Sequence, residues 1–458
     1  MEFFVKKERK EFLGIFKKIK KRDFSGNEGM AIKNSYFQVS KMVVAKGGGL
    51  LFTIILARFL MPELFGLYSL ALATVFIFIG FTDMGIDSAL IKYVSGFLGE
   101  ENRKKAKQYL SYLFKLRTFL VFVIFMILLI SAKFIAENYY NKPIFWALIV
   151  GSFYLLFLSF TNFFESLFFS VNKFKETFYK EIIFQISRLV LTLIVVLVLT
   201  KQGLSNMLLL SLIMICLVLA SFSALIFLLF KSKKGISFLQ IKSKKISKSE
   251  KKEVNKFILP LTTTVLSGLF LSYVDIIMLG GFIIDSEFIG YYSAAFHLTG
   301  AAASLLAFST VLFPIFSRLR GKRLKRGLTK TIKVVLPITI ALSILIVFLT
   351  MIFSPLIIKI IYGGGYSNSI NLLRILSLSI ITGPIIAIYT NYFISKGNTK
   401  IIAKLLILTT LLNICLNYIL ISIFIKQSHF LATIGAAIAT IFSGFVYLTS
   451  LVISAKSK

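Results

Sequence analysis

Twelve apolar stretches of roughly 19 to 26 residues dominate the chain, each long enough to cross a hydrocarbon core of about 30 Å as a helix. Their approximate limits are 37–60, 65–83, 112–132, 144–169, 178–200, 205–230, 257–280, 288–313, 332–353, 369–394, 401–424 and 431–454. Inside a bilayer every backbone polar group needs a partner, and a helix provides one segment by segment. With 57% hydrophobic and 16% charged residues, the chain carries more apolar surface than a soluble fold of 458 residues can bury. The predicted fold class is therefore all-α integral membrane, with 12 transmembrane helices.

The chain has 53 Lys and Arg against 19 Asp and Glu. In a soluble protein this excess would suggest nucleic acid; here its location decides otherwise. The cations gather in residues 1–35, in the connections after every second stretch, and at Lys456 and Lys458. The opposite connections hold only Arg58, Lys133, Lys142, Lys201, Lys359 and Lys426. Because Lys and Arg stay on the cytoplasmic side, this asymmetry predicts a multi-pass protein of the cell (cytoplasmic) membrane with both termini cytoplasmic. It also makes anionic membrane lipids, rather than nucleic acid, the partner of the basic surface. No signal peptide is expected, since the first long apolar run begins near Tyr36.

The predicted organisation is a basic amphipathic segment over 1–35, an N-terminal lobe of six spans over 36–230, a basic cytoplasmic linker over 231–256, a C-terminal lobe of six spans over 257–455, and a cytoplasmic tail over 456–458. Val5, Phe12, Ile15, Phe16 and Ile19 recur at helical spacing among lysines. The first segment therefore reads either as a helix lying on an anionic leaflet or as a solvated tail that only sets orientation. "ELFGLYSLA", from Glu63 to Ala71, returns as "EFIGYYSAA", from Glu287 to Ala295, at an offset of 224 residues. This echo falls after the first span of each half and predicts a duplication. Each half starts on the cytoplasmic side, so the two repeats run parallel. The first copy is expected to form a hairpin turning on Pro62, Glu63 and Gly66, with Arg58 beside it. The external connections are short, which places any function between the helices.

Charges inside spans are costly and are functional candidates by default, at roughly 2.5 to 3.5 kcal/mol each on insertion scales. Lys46, before the run Gly47 to Gly49, either lines a cavity or snorkels while the glycines admit a neighbouring helix. Arg58 lies near the outer interface, and Arg188 near the middle of the fifth stretch; Arg374 sits in the tenth. Snorkelling alone could explain Arg58, whereas Arg188 and Arg374 could each hold a phosphate or carboxylate bidentately or balance an internal acid. Asp275 could pair with an Arg or bind a proton or Na+, and His297 could carry a proton or simply pack. Asp83, Asp87 and Glu165 fall near cytoplasmic ends and read as solvated. Cys216 and Cys415 read as small apolar residues. No metal, cofactor or disulfide is expected, and no catalytic constellation emerges.

The stretch "LARFLMPELFGLYSLALATVFIFIGFTDMGIDSALIKYVS" resembles the first two spans of the Wzx-like polysaccharide flippases of the multidrug/oligosaccharidyl-lipid/polysaccharide exporter superfamily. The second half agrees in "DIIMLGGFIIDSEFIGYYSAAFHL", "VLFPIFSRL", "IYGGGYSNSINLLRILSL" and "ISKGNTKIIAKLLILTTLLNICLNYILI", followed by "IGAAIAT". The resemblance implies a MATE-like fold of two six-helix lobes around a central cavity with alternating openings. It implies a transporter rather than an enzyme, whose cargo is a lipid-linked oligosaccharide on a polyprenyl phosphate or pyrophosphate. Lys46, Arg58, Arg188 and Arg374 match the substrate-binding cations that such proteins place in the cavity. Asp275 and His297 are the coupling or charge-pairing candidates, and glycan-assembly membrane proteins are possible partners. The competing readings are a cation-coupled multidrug exporter of the same fold and a membrane glycosyltransferase or polymerase. The first would want an acidic interior and the second a sizeable external loop.

Overall fold

A computed structural model describes residues 26–199, 205–241, 245–306, 324–396 and 398–456. The basic segment up to residue 25, the end of the eighth stretch, the "VLFPIFSRL" segment and the last two residues lie outside the described residues. Among the described residues the chain is helical and contains no strand. The helices are α1 (Gly26–Asp83), α2 (Ile86–Gly99), α3 (Arg103–Lys133), α4 (Phe145–Ser170), α5 (Phe174–Ile194), α6 (Asn206–Gly235), α7 (Lys248–Phe282), α8 (Ser286–Leu306), α9 (Leu324–Ile361), α10 (Ser369–Leu376), α11 (Ser379–Ser395), α12 (Thr399–Phe424) and α13 (His429–Lys456). By length and apolarity, nine helical segments among the described residues can cross a membrane, the first of them merging the first two apolar stretches.

The expected hairpin is tighter than the sequence suggests. Helix α1 breaks at one residue, Met61, whose φ of 56° and ψ of 170° leave the helical region. Pro62 disfavours a helical conformation at the residue before it and, lacking an N–H, suits the first turn of the arm that follows. Glu63 and Gly66 are already helical. Gly66 is thus a contact point rather than a turn residue. A Cβ on Gly66 would collide with the backbone oxygen of Ser286, and a Cβ on Gly290 with that of Pro62. The pairs 62 and 286, and 66 and 290, share the offset of the repeat, so its two copies pack on each other through equivalent atoms. Small residues at a crossing let membrane helices approach this closely. The tenth apolar stretch also differs from expectation, since it divides into α10 and α11.

The main core joins both halves of the sequence. Leu56, Phe65 and Leu70 of α1 pack in one cluster with Ile276 and Leu279 of α7, Tyr292 of α8 and Leu373 of α10. At the other end, Ile86 and Leu90 of α2 pack with Tyr109 and Leu113 of α3. Ile236, Phe238 and Ile246, from the stretch between α6 and α7, are buried in that second cluster. A capping box closes the start of α7, with Ser247 accepting from the Glu250 N–H and Glu250 accepting from the Ser247 N–H.

Candidate functional site

Arg188 occupies the most enclosed position among the four proposed substrate cations. Helix α5 packs against α1 where Gly48 and Gly49 have no side chains. A Cβ on Gly48 would overlap the Gln185 side chain, and one on Gly49 would come within 3.9 Å of an Arg188 terminal nitrogen. The glycine run therefore makes room for Gln185 and Arg188, one helical turn apart. Arg188 donates to Oε1 of Gln185, and the Gln185 amide donates to Glu181 Oε1 at 2.7 Å. The guanidinium lies 4.2 Å from the Phe52 ring centre and 5.2 Å from that of Phe184. Its Nε is buried without a hydrogen-bond partner among the described residues.

Lys46 is exposed on α1, three residues before Gly49 and so on nearly the same face. Arg188 and Lys46 thus stand on packed elements. Arg58 and Arg374 are elsewhere, and both bear on α9. The Nε of Arg58 donates to the Ile361 carbonyl at 2.7 Å, and another of its nitrogens donates to that of Ile360. These contacts cap the end of α9, where cations suit both the unpaired carbonyls and the helix dipole. Arg374 donates to Ser354 Oγ at 2.9 Å and to the Met351 carbonyl at 3.3 Å. His297 is half-buried on α8, its ring edge-on to Phe65 and Phe296 at 6.4 and 6.2 Å.

Asp275 lies in a separate cradle between α7, α8, α12 and α13, and is 2% exposed. Tyr292 donates to it at 2.7 Å and Asn417 at 2.7 Å, and Thr440 donates as well. Each of these partners is neutral. The side-chain oxygens of Asn413 and Asn417 are buried in the same region without donors. An acid supported by hydrogen bonds, with no cation paired to it among the described residues, is suited to take up a proton or a small cation.

The sequence profile described as "Polysaccharide biosynthesis protein" matches residues 31–320, more than half of the chain. The chain belongs to this polysaccharide biosynthesis protein family. A second profile, described as MatE, matches residues 260–419 of this family member. Its fold is similar to that of "Lipid II flippase MurJ, inward closed conformation", with a TM-score of 0.68 and 18% identity over 92% of this chain and 87% of that one. It is also similar to an inward-facing multidrug resistance MATE family transporter of the MOP superfamily, with a TM-score of 0.60 and 15% identity over 93% and 95% of the two chains. A MOP superfamily transporter from Pyrococcus furiosus, described by a binding pocket of reverse polarity, matches with a TM-score of 0.58 and 15% identity over 93% and 97%. No curated protein matches the chain.

Several buried charges of this family member escape a reading of single spans. Asp83, Asp87 and Glu165 are expected to be solvated; the structure buries Glu165, and it leaves Asp83 and Asp87 partly exposed but beside a buried guanidinium. Arg117, fully buried, donates to Asp83 at 3.1 Å and to the carbonyls of Thr82 and Ser159 at 2.8 and 2.9 Å, and lies 3.9 Å from Asp87. Glu165, 8% exposed, takes Lys41 on one oxygen and Lys180 at 2.5 Å on the other. Lys180 also pairs with Glu181 at 3.0 Å. Helical spacing offers only a partial signal, as Glu181, Gln185 and Arg188 recur at i, i+4 and i+7. The partners on other helices leave no such mark. Lys142, between α3 and α4, donates to the carbonyls of Ile283 and Ile284 at 2.8 and 2.7 Å. Its burial pushes the ammonium below the usual lysine range, partly offset by Asp285.

Proposed function

We propose that this protein is a flippase that moves a lipid-linked oligosaccharide, carried on a polyprenyl phosphate or pyrophosphate, from the cytoplasmic to the outer leaflet. Membership of the polysaccharide biosynthesis protein family carries this reading. The likeness to a lipid II flippase supports it, as does an enclosed guanidinium with an unpartnered N–H. The proposed arrangement is twelve spans in two parallel lobes, residues 36–230 and 257–455, joined by the basic linker 231–256, with both termini cytoplasmic. The glycan head cannot cross hydrocarbon unaided, because its charge and hydroxyls would lose their water. Arg188 with Lys46 replaces that water at the phosphate, while the prenyl tail stays in lipid. Outward movement of each negative charge is favoured by about 2.3 kcal/mol per 100 mV of inside-negative potential. Arg58, bound to the end of α9, meets the head late in the passage, after α9 moves away. Arg374 acts through the same helix. His297 faces the aromatic packing between α1 and α8, a position in which its protonation would answer to cargo or water entering there.

Asp275 is the proposed coupling residue, taking up a proton or Na+ as the protein resets. The same cradle supports a second reading, a cation-coupled multidrug exporter, since an acid with neutral partners is what a cationic drug or coupling ion requires. Deleting the protein from its host separates the two. A flippase leaves a lipid-linked saccharide accumulated on the cytoplasmic leaflet, detectable by mass spectrometry of extracted lipids. Unchanged lipid-linked saccharides together with lost efflux of a cationic dye would establish the exporter instead.

A further inference from the structure

Apart from Lys142, which lies between α3 and α4 and is held by two backbone carbonyls, the enclosed cations of the first half differ in what faces them. Lys41 has Glu165; Lys180 has Glu165 and Glu181; Arg117 has Asp83 and Asp87. Arg188 has an amide. Gln185 stands between Glu181 and Arg188, accepting from the guanidinium while its own N–H donates to the carboxylate at 2.7 Å. An amide fixes a guanidinium in direction without cancelling its charge, whereas a carboxylate would form a fork-like pair and occupy the N–H groups an anion needs. The remaining contacts preserve the charge in the same way. Phe52 and Phe184 offer ring faces, and Nε is left buried without a partner. Gly48 is what allows the amide to occupy this position, since any side chain there would displace it.

We propose that Gln185 is a positioning residue that presents Arg188 as an unpaired guanidinium to the phosphate of the lipid-linked head, and that Glu181 holds the Gln185 amide in place. This rests on the flippase reading and adds the reason why this cation, among several buried ones, is available. The one-turn spacing gives it a sharp consequence. Moving the carboxylate from 181 to 185 leaves the total charge of the protein unchanged, but sets the acid directly on Arg188.

The test uses full-length protein in detergent, titrated with farnesyl pyrophosphate as a soluble prenyl pyrophosphate and followed by calorimetry. Gln185→Glu is expected to weaken binding by at least about tenfold, equivalent to about 1.4 kcal/mol. Gln185→Glu combined with Glu181→Gln is expected to stay equally weak despite restoring the charge. Gln185→Met leaves the guanidinium unpaired and should lose less than Gln185→Glu. Wild-type affinity in the charge-conserving double variant overturns the inference and leaves the flippase reading standing. Melting curves show whether each variant folds. If neither variant carrying Gln185→Glu folds, Glu181→Gln alone decides, because releasing the amide should still weaken binding and wild-type affinity there is equally fatal. A wild-type protein that neither binds farnesyl pyrophosphate nor moves lipid-linked saccharide faster than protein-free vesicles overturns the flippase reading together with the inference.

Discussion

Arg117 shows what one residue can hold at the junction of α1, α2, α3 and α4. It is fully buried, and its guanidinium reaches two carboxylates and two backbone carbonyls. Removing one side of a buried charge cluster leaves the other uncompensated, which costs about 3–5 kcal/mol. Arg117→Met should therefore lower the Tm in detergent sharply, and adding Asp83→Asn and Asp87→Asn should recover much of the loss. A Tm unaffected by Arg117→Met would show that the acids are solvated after all. Of these charges the sequence marked only the acids Asp83, Asp87 and Glu165, near span ends; Arg117 and Lys41 did not stand out within their apolar stretches, and none of the pairings was visible. Lys41 and Glu165 are 124 residues apart, and Arg117 is 34 from Asp83, so helical periodicity cannot connect them. Asp275 was legible as an intramembrane acid, but its neutral partners come from three other helices.

Among the elements, the two copies of the repeated motif meet each other in the structure, a contact the sequence did not suggest. Gly66 reads as a turn residue because it follows Pro62 closely. In the structure Met61 alone makes the break, and Gly66 meets the second copy. The same repeat carries Tyr68 and Tyr292 to different surroundings. Tyr292 donates to Asp275, while Tyr68 packs 6.4 Å from Phe52, whose ring faces Arg188. The repeated motif thus serves an acid in one copy and lies beside a cation's pocket in the other. Gly66→Ala or Gly290→Ala places a methyl against backbone, which cannot rotate away, so each should cost about 1–3 kcal/mol as an overpacked crossing. Because the contacts are equivalent, separation forced by one substitution relieves the other. The double variant should lose less Tm than the sum of the singles, a coupling expected only of sites in contact. Strict additivity would refute the shared crossing.

At the scale of the molecule, cations from the first half hold helix ends of the second at the Met61 end. Arg58 caps α9 through Ile360 and Ile361, and Lys142 takes the carbonyls of Ile283 and Ile284 just beyond α7. A cleft of about 390 Å³ between Glu63, Lys142, Asp285 and Glu287 lies at the same junction. In the proposed flippase, alternating access would break these contacts whenever that end opens, so they would set part of the balance between states. The two cations should not contribute equally. Arg58 is exposed and caps its helix with little desolvation, whereas burial of Lys142 disfavours its charge and offsets much of what its two hydrogen bonds contribute. Arg58→Met should therefore shift the population toward the open form more than Lys142→Met does. Spin labels at Glu63 and Glu287, the equivalent positions of the two repeats, report this as a longer distance component in double electron–electron resonance. A larger shift from Lys142→Met would reverse the assignment of the dominant latch. An unchanged distribution in both variants would mean that the glycine crossing alone keeps this end closed.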